Sequence, residues 1–169
     1  MKSRPMDVHY GVMQFPRGAF RLPLAAACLA ALALCSCASI QRAQDQGAVR
    51  QVVDLLNSGQ SQRLAAMSAS PFLLDGEIVA LPADVASFWD GIVKAGFRVE
   101  GAALDTGTPV GPGSAGRFAD TMEVRSFFER YVKQGARVLE MQTSAGARTL
   151  LLVRSEWFAW RILGFKGPF

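Results

Sequence analysis

Arg137-Val-Leu-Glu-Met-Gln-Thr143, Arg148-Thr-Leu-Leu-Leu-Val-Arg154 and Trp157-Phe-Ala-Trp-Arg-Ile-Leu-Gly-Phe165 are three strand-like runs divided only by short breaks around Ser144-Ala-Gly146 and at Ser155-Glu156. Turns this short return the chain alongside itself, so the spacing predicts neighbouring antiparallel strands over 137–143, 148–154 and 157–165. In the last run Phe158, Trp160 and Ile162 share one face, while Trp157, Ala159, Arg161 and Leu163 share the other. Both faces carry large apolar side chains, which predicts a central strand covered on both sides. The aromatic residues of this region, with Phe169, then pack in the core; an exposed Trp157 would instead speak for a pocket floor or a partner groove.

Working back towards the N-terminus, Val124, Phe127, Phe128, Tyr131 and Val132 form a helical stripe ending at Gly135, and Asp120-Thr-Met-Glu123 has the spacing of a capping box, which predicts a helix over 120–134. Thr108 to Gly116 holds three glycines and two prolines and reads as a loop, preceded by a weakly alternating strand from Phe97 to Thr106. Val85, Phe88, Trp89, Ile92 and Val93 lie on one helical face, with Asp84 near the start and Gly96 as the stop. Phe72-Leu-Leu74 and Ile78-Val-Ala-Leu81 flank Asp75-Gly76-Glu77, a hairpin signal. Two further helices are expected, from about Asp45 to Asn57 and over Ser61–Met67. The order predicts an α+β domain, its helices packed on one face of a curved antiparallel sheet.

Ahead of this domain, Leu22 to Gln41 are 20 uncharged residues led by Arg17 and Arg21, with an apolar centre and small residues after it. That is the build of an export signal. The stretch ends in Leu34-Cys35-Ser36-Cys37, which resembles the lipobox of bacterial lipoproteins, with Cys35 in the place where another small residue is more usual. The resemblance implies cleavage before Cys37 and lipid on its sulfur; cleavage before Cys35 would put bulky Leu34 where a small side chain is needed. Residues 1–36 then form the signal peptide, 37–47 the lipidated cysteine and a polar tether, and 48–169 one α+β domain. A start at Met13 instead of Met1 leaves this intact. The competing reading, a membrane-spanning helix over 22–41, is weakened by Pro23, Ser36, Ser39 and Gln41, which cut the apolar part to about 13 residues where about 20 are needed. More than one acyl chain gives durable anchoring, and Ala38 in place of an aspartate points, by resemblance to the enterobacterial sorting rule, to the outer membrane facing the periplasm.

Composition narrows the chemistry. The net charge of +4 lies mostly in the leader, and residues 37–169 hold 14 basic and 13 acidic side chains, interspersed. No basic field is present to hold nucleic acid. The single histidine, His9, and all three cysteines, Cys28, Cys35 and Cys37, fall in or beside the leader. The domain is therefore without a disulfide framework, a histidine zinc site or a Ser-His triad. The glycine-rich loop lacks the Lys-Ser/Thr ending of a phosphate loop. No cofactor is expected.

Leu55-Leu-Asn-Ser-Gly59, Leu64-Ala-Ala-Met67 and Phe72-Leu-Leu-Asp-Gly-Glu77 together resemble the opening of the nuclear transport factor two-like superfamily of cone-shaped domains, over about 100 residues. The helix expected at 120–134 departs from that family's run of strands. The resemblance implies a cavity between sheet and helices. In its isomerase- and dehydratase-like members a pocket carboxylate moves a proton beside a tyrosine or a protonated acid. Tyr131 and the acids Asp75, Glu77 and Asp105 are the matching residue types, with Trp157 and Trp160 as possible pocket walls. In an Asp-Gly step Asp75 also reads as a turn residue, and Tyr131 as a core ring. A domain so poor in catalytic side chains favours a non-enzymatic module binding a small apolar ligand or an envelope partner; the alternative is an isomerase-like enzyme using a pocket carboxylate.

Overall fold

The computed structural model describes the backbone of residues 22–168 apart from 100, 102, 144, 145 and 158, and side chains from residue 38 onward. Of the expected signal peptide over 1–36, residues 1–21 lie outside the described residues, and so do the side chains up to Cys37, so the cleavage and lipidation expected there lie outside them as well. Residues up to Ser39 and from Ile40 onward form two compact units. Of the first, the helical backbone from Leu22 is described, the beginning of α1 (Leu22–Asn57). Among the described residues no helix is long and apolar enough to cross a membrane.

The second unit is α+β. After α1 come α2 (Ser61–Met67), β1 (Ser68–Leu74), β2 (Glu77–Val79), α3 (Pro82–Lys94), β3 (Ala103–Pro109), α4 (Met122–Tyr131), β4 (Ala136–Gln142), β5 (Arg148–Glu156) and β6 (Ala159–Lys166). The six strands form one open, curved sheet in the order β2-β1-β6-β5-β4-β3. All pairings are antiparallel except β1 with β6. The C-terminal meander forms as the short turns dictate. The parallel β1–β6 contact joins strands with no turn between them, so no local signal announces it. Gly164 permits it, because a Cβ there would stand 2.8 Å from the Leu73 carbonyl oxygen.

β5 shows why the sheet is covered twice. Leu151 and Val153 point into one apolar cluster with Leu139, Met141, Ile162 and Phe165, roofed by Val49, Val52 and Leu56 of α1, Leu64 of α2 and Trp89 of α3. Leu150 and Leu152 point into a second with Val138, Leu163 and Leu73, covered by Phe118 and by Val124 and Phe127 of α4. Three helices thus lie on one face and α4 on the other. A register shift between Leu152 and Val153 in the β5–β6 ladder places Ile162 and Phe165, three residues apart, on the same side.

Several local readings shift. The tether expected over 37–47 is helical from end to end, and Asp45 within it is 1% exposed; Gln- and Ala-rich sequence continues a helix without penalty. The strand expected over 97–106 begins only at Ala103 and runs to Pro109. Val99 instead pairs its backbone with the Asn57 amide, donating at 2.9 Å and accepting at 3.0 Å. The α4 cap is Thr121, which accepts from the Val124 N–H at 3.3 Å, while Asp120, read as the start of a capping box, pairs with Arg125. The last turn falls after Glu156 and not at Ser155-Glu156, since β5 runs through Glu156 and β6 begins at Ala159.

α1 is fixed to the sheet by a buried ion pair. Arg137 of β4 grips Asp45 with both arms, Nε to Oδ1 at 2.8 Å and Nη2 to Oδ2 at 2.7 Å, and donates again to the Gly107 carbonyl at 2.8 Å. Gln41, one helical turn earlier, donates to the same carboxylate at 3.2 Å. Gly107 is glycine because a Cβ would collide with the Asp45 carboxylate. Removing one partner of such a pair strands a buried charge. Asp45→Ala is expected to lower unfolding free energy by about 3–5 kcal/mol in urea titrations, and Gly107→Ala to destabilise as well, because it expels the carboxylate from its place.

Candidate functional site

The space between α1–α3 and the sheet, where the family resemblance implies a cavity, is filled by aromatic rings. Trp89 is fully buried, its ring centre 4.8 Å from Phe88, 6.1 Å from Phe72 and 5.6 Å from Phe165. Its Nε1–H is satisfied by Ser68 Oγ at 2.9 Å. That hydroxyl in turn donates to the Leu64 carbonyl at 2.8 Å. Amphipathic α3 brings this ring inward because Val85 and Trp89 stand one turn apart on its apolar face.

The three acids considered as pocket bases are all on the surface. Asp75 occupies the β1–β2 turn with φ of 48°, followed by Gly76 at 97°. Its N–H donates to the Phe165 carbonyl at 3.0 Å, and its carboxylate accepts from the Gly167 N–H at 2.6 Å. Asp75 therefore acts as a turn residue that ties the hairpin to the end of β6. Glu77 begins edge strand β2, and Asp105 lies on the exposed side of β3.

Tyr131 is in contact with the α4 core through Phe127, ring centres 5.5 Å apart, yet stays 44% exposed. It joins Met122, 73% exposed, and Ile78 of β2, 40% exposed, along a groove of about 370 Å³. Pro71 and Phe127 deepen its floor, and Glu123 and Arg130 edge it. The groove exists because α4 lies beside an edge strand only three residues long. Periodicity marked Tyr131 as a stripe residue; Ile78 and Met122 had no signal beyond being apolar, because their exposure depends on which strand ends the sheet.

At one end of the sheet the β5–β6 turn carries Trp157, 96% exposed with φ of 38°. The flanking pair, Glu156 and Ala159, closes a tight hairpin, and two-residue hairpins require positive φ at their first central position. Glycine or asparagine meets that demand without strain; a bulky side chain does not. Trp160 is half-buried and packs against the α1 side of the core. It also lines a depression of about 450 Å³ with Gln41, Lys133 and Ser155. The sequence placed Trp157 and Trp160 on opposite faces of one strand; the structure puts Trp157 outside the strand altogether. Glu156 braces the turn by pairing with Arg154 and, at 3.6 Å, with Arg161. The hydrogen bond from Arg154 holds the Glu156 carboxyl below the usual glutamate range, against a smaller opposing desolvation, with the charges of Arg154 and Arg161 adding to the effect.

Two outcomes follow for this turn. Trp157→Gly should leave the domain as stable as the parent or stabilise it by up to about 1 kcal/mol in urea titrations, since it relieves a strained φ and buries nothing less. The Glu156 carboxyl should titrate below ordinary glutamates in side-chain NMR and return towards them in Arg154→Met. Because its folded-state pKa is depressed, the stability it contributes is present above the unfolded-state value and is lost as pH falls through the folded-state value.

Comparison with protein-family models and with curated proteins gives no match. Among solved structures the chain is similar to a crystal structure of a domain of unknown function with a cystatin-like fold from Nostoc punctiforme, at 17% identity over 72% of each chain, with a TM-score of 0.42.

Proposed function

We propose that this chain is a bacterial envelope lipoprotein, cut before Cys37, anchored by lipid on that cysteine and facing the periplasm from the outer membrane. Its domain, in this reading, is a non-enzymatic module that holds an envelope partner in the β2–α4 groove. The anchor rests on Leu34-Cys-Ser-Cys37 at the end of an apolar run led by Arg17 and Arg21, and the outer-membrane address on Ala38. We read the domain as nuclear transport factor two-like, supported by three helices laid over one face of a curved sheet. Where that reading would place a ligand cavity, Trp89 and its neighbouring rings occupy the volume, which moves binding to the outside of the domain.

The observation that carries the binding role is the exposure of Ile78, Met122 and Tyr131 along one groove. Three large apolar side chains grouped on the surface are the usual chemistry of a contact site, and the flanking Glu123 and Arg130 form the polar rim such sites carry.

Intact mass of the protein from a membrane fraction tests the anchor: the parent should begin at Cys37 and carry diacylglyceryl mass, and Cys37→Ser should lose both the modification and membrane retention. Unchanged processing and partitioning in that variant would overturn the anchor. For the groove, Met122→Glu should leave thermal unfolding unchanged while weakening recovery of the partner that cross-links to the parent by about tenfold, the scale of one interface anchor. Equal recovery would remove the groove as the contact.

A further inference from the structure

Trp157 is the most exposed large apolar side chain described in the domain, and the fold accepts a strained turn while presenting it to solvent. Its indole covers no other residue's core, so packing does not explain it. Positive φ on a bulky residue is a reason to look for a role outside the fold.

Its position supplies one. Ser155, two residues before Trp157, lines the same depression as Gln41 of α1 and exposed Lys133. Ile40, next to Gln41, is 58% exposed. Cys37 precedes Ile40 by three residues, so an acyl anchor on that sulfur reaches Ile40 along no more than about 10 Å of chain. The end of the domain where the β5–β6 hairpin begins its turn is therefore also the end at which the chain enters the domain, at Ile40 and Gln41. Tryptophan prefers the boundary between acyl chains and water, where its ring is sheltered and its N–H stays hydrated. An exposed lysine at the same end of the domain, Lys133, is drawn to the headgroups of an anionic bilayer.

We propose that the β5–β6 turn is a membrane contact, in which Trp157, at the end of the domain where Gln41, Lys133 and Ser155 line one depression, enters the headgroup layer of the bilayer that holds the lipid anchor. This rests on the lipidation of Cys37 proposed above. Lipid on Cys37 holds the chain at the membrane, and Trp157 sets which end of the domain faces it, so that the domain is held down at two points and does not swing on its anchor.

The test uses the full lipidated chain reconstituted into phosphatidylethanolamine–phosphatidylglycerol vesicles, with ordinary or brominated acyl chains, and compares the parent with Trp157→Gly and Trp157→Asn. The emission lost in either variant is that of Trp157. It should be blue-shifted from that of tryptophan in water and should fall on brominated lipid, as expected of an indole seated at the membrane–water interface. Emission at the wavelength of free tryptophan, with equal intensity on both lipids, overturns the proposal while leaving the anchor standing. A parent that does not float with vesicles, or a Cys37→Ser chain that floats equally well, overturns the anchor and this contact with it. Both variants failing to fold would make the indole a structural part and would overturn the contact as well.

Discussion

The structure depends on one constraint: β5 and β6 are apolar on both faces, and a strand of that kind must be covered twice. Leu150 to Val153 alternate between two clusters, and each is almost entirely withdrawn from water. At about 25 cal/mol per Å² of apolar surface, leaving either face bare would cost several kcal/mol. α1, α2 and α3 close one side, and α4 with the loop residue Phe118 closes the other. The helix at 120–134, which departs from the family resemblance, is the element that makes the second cover.

Polar groups inside this frame are placed where the apolar layers leave openings. Asp45 and Arg137 are separated by most of the domain in sequence and meet only because α1 crosses the β3–β4 edge where Gly107 leaves room. The Asn57 amide performs a similar task at the other end of α1, taking both backbone groups of Val99. From Asp45 to Asn57 the helix is held by these hydrogen bonds and, between them, by Val49, Val52 and Leu56. The segment before Gly47 is consequently part of the folded domain from Ile40 onward.

The candidate surfaces arise from what the two covers leave open. Aromatic density at the C-terminus is expected to pack in the core, and Phe165 does so, converging with Phe72, Phe88 and Trp89 from three elements. The residues that remain outside, Ile78, Met122 and Tyr131 on one groove and Trp157 on one turn, differ from core residues in no property that a single sequence displays. Asp75 could be read in advance, because an Asp-Gly step carries its own turn geometry. Trp157 could not: the strand pattern ran through it, and only the pairing of Glu156 with Ala159 put it at the tip of a hairpin.

Sequence alone determined the α+β class, α2 and α3, the β1–β2 hairpin and the antiparallel meander, because each is set by local periodicity, turn length or a stop residue acting within a few positions. The leader-like run ending in Cys37 is likewise a linear feature, displayed by the sequence without any tertiary contact, and the placing of the single histidine and all three cysteines in or beside it follows from counting residue types. Tertiary structure decided the parallel β1–β6 pairing, the second cover by α4, the burial of Asp45 and the exposure of Trp157. Each of these depends on which distant segments come together, and the interactions responsible act between residues far apart in the chain, where a sequence read position by position carries no signal.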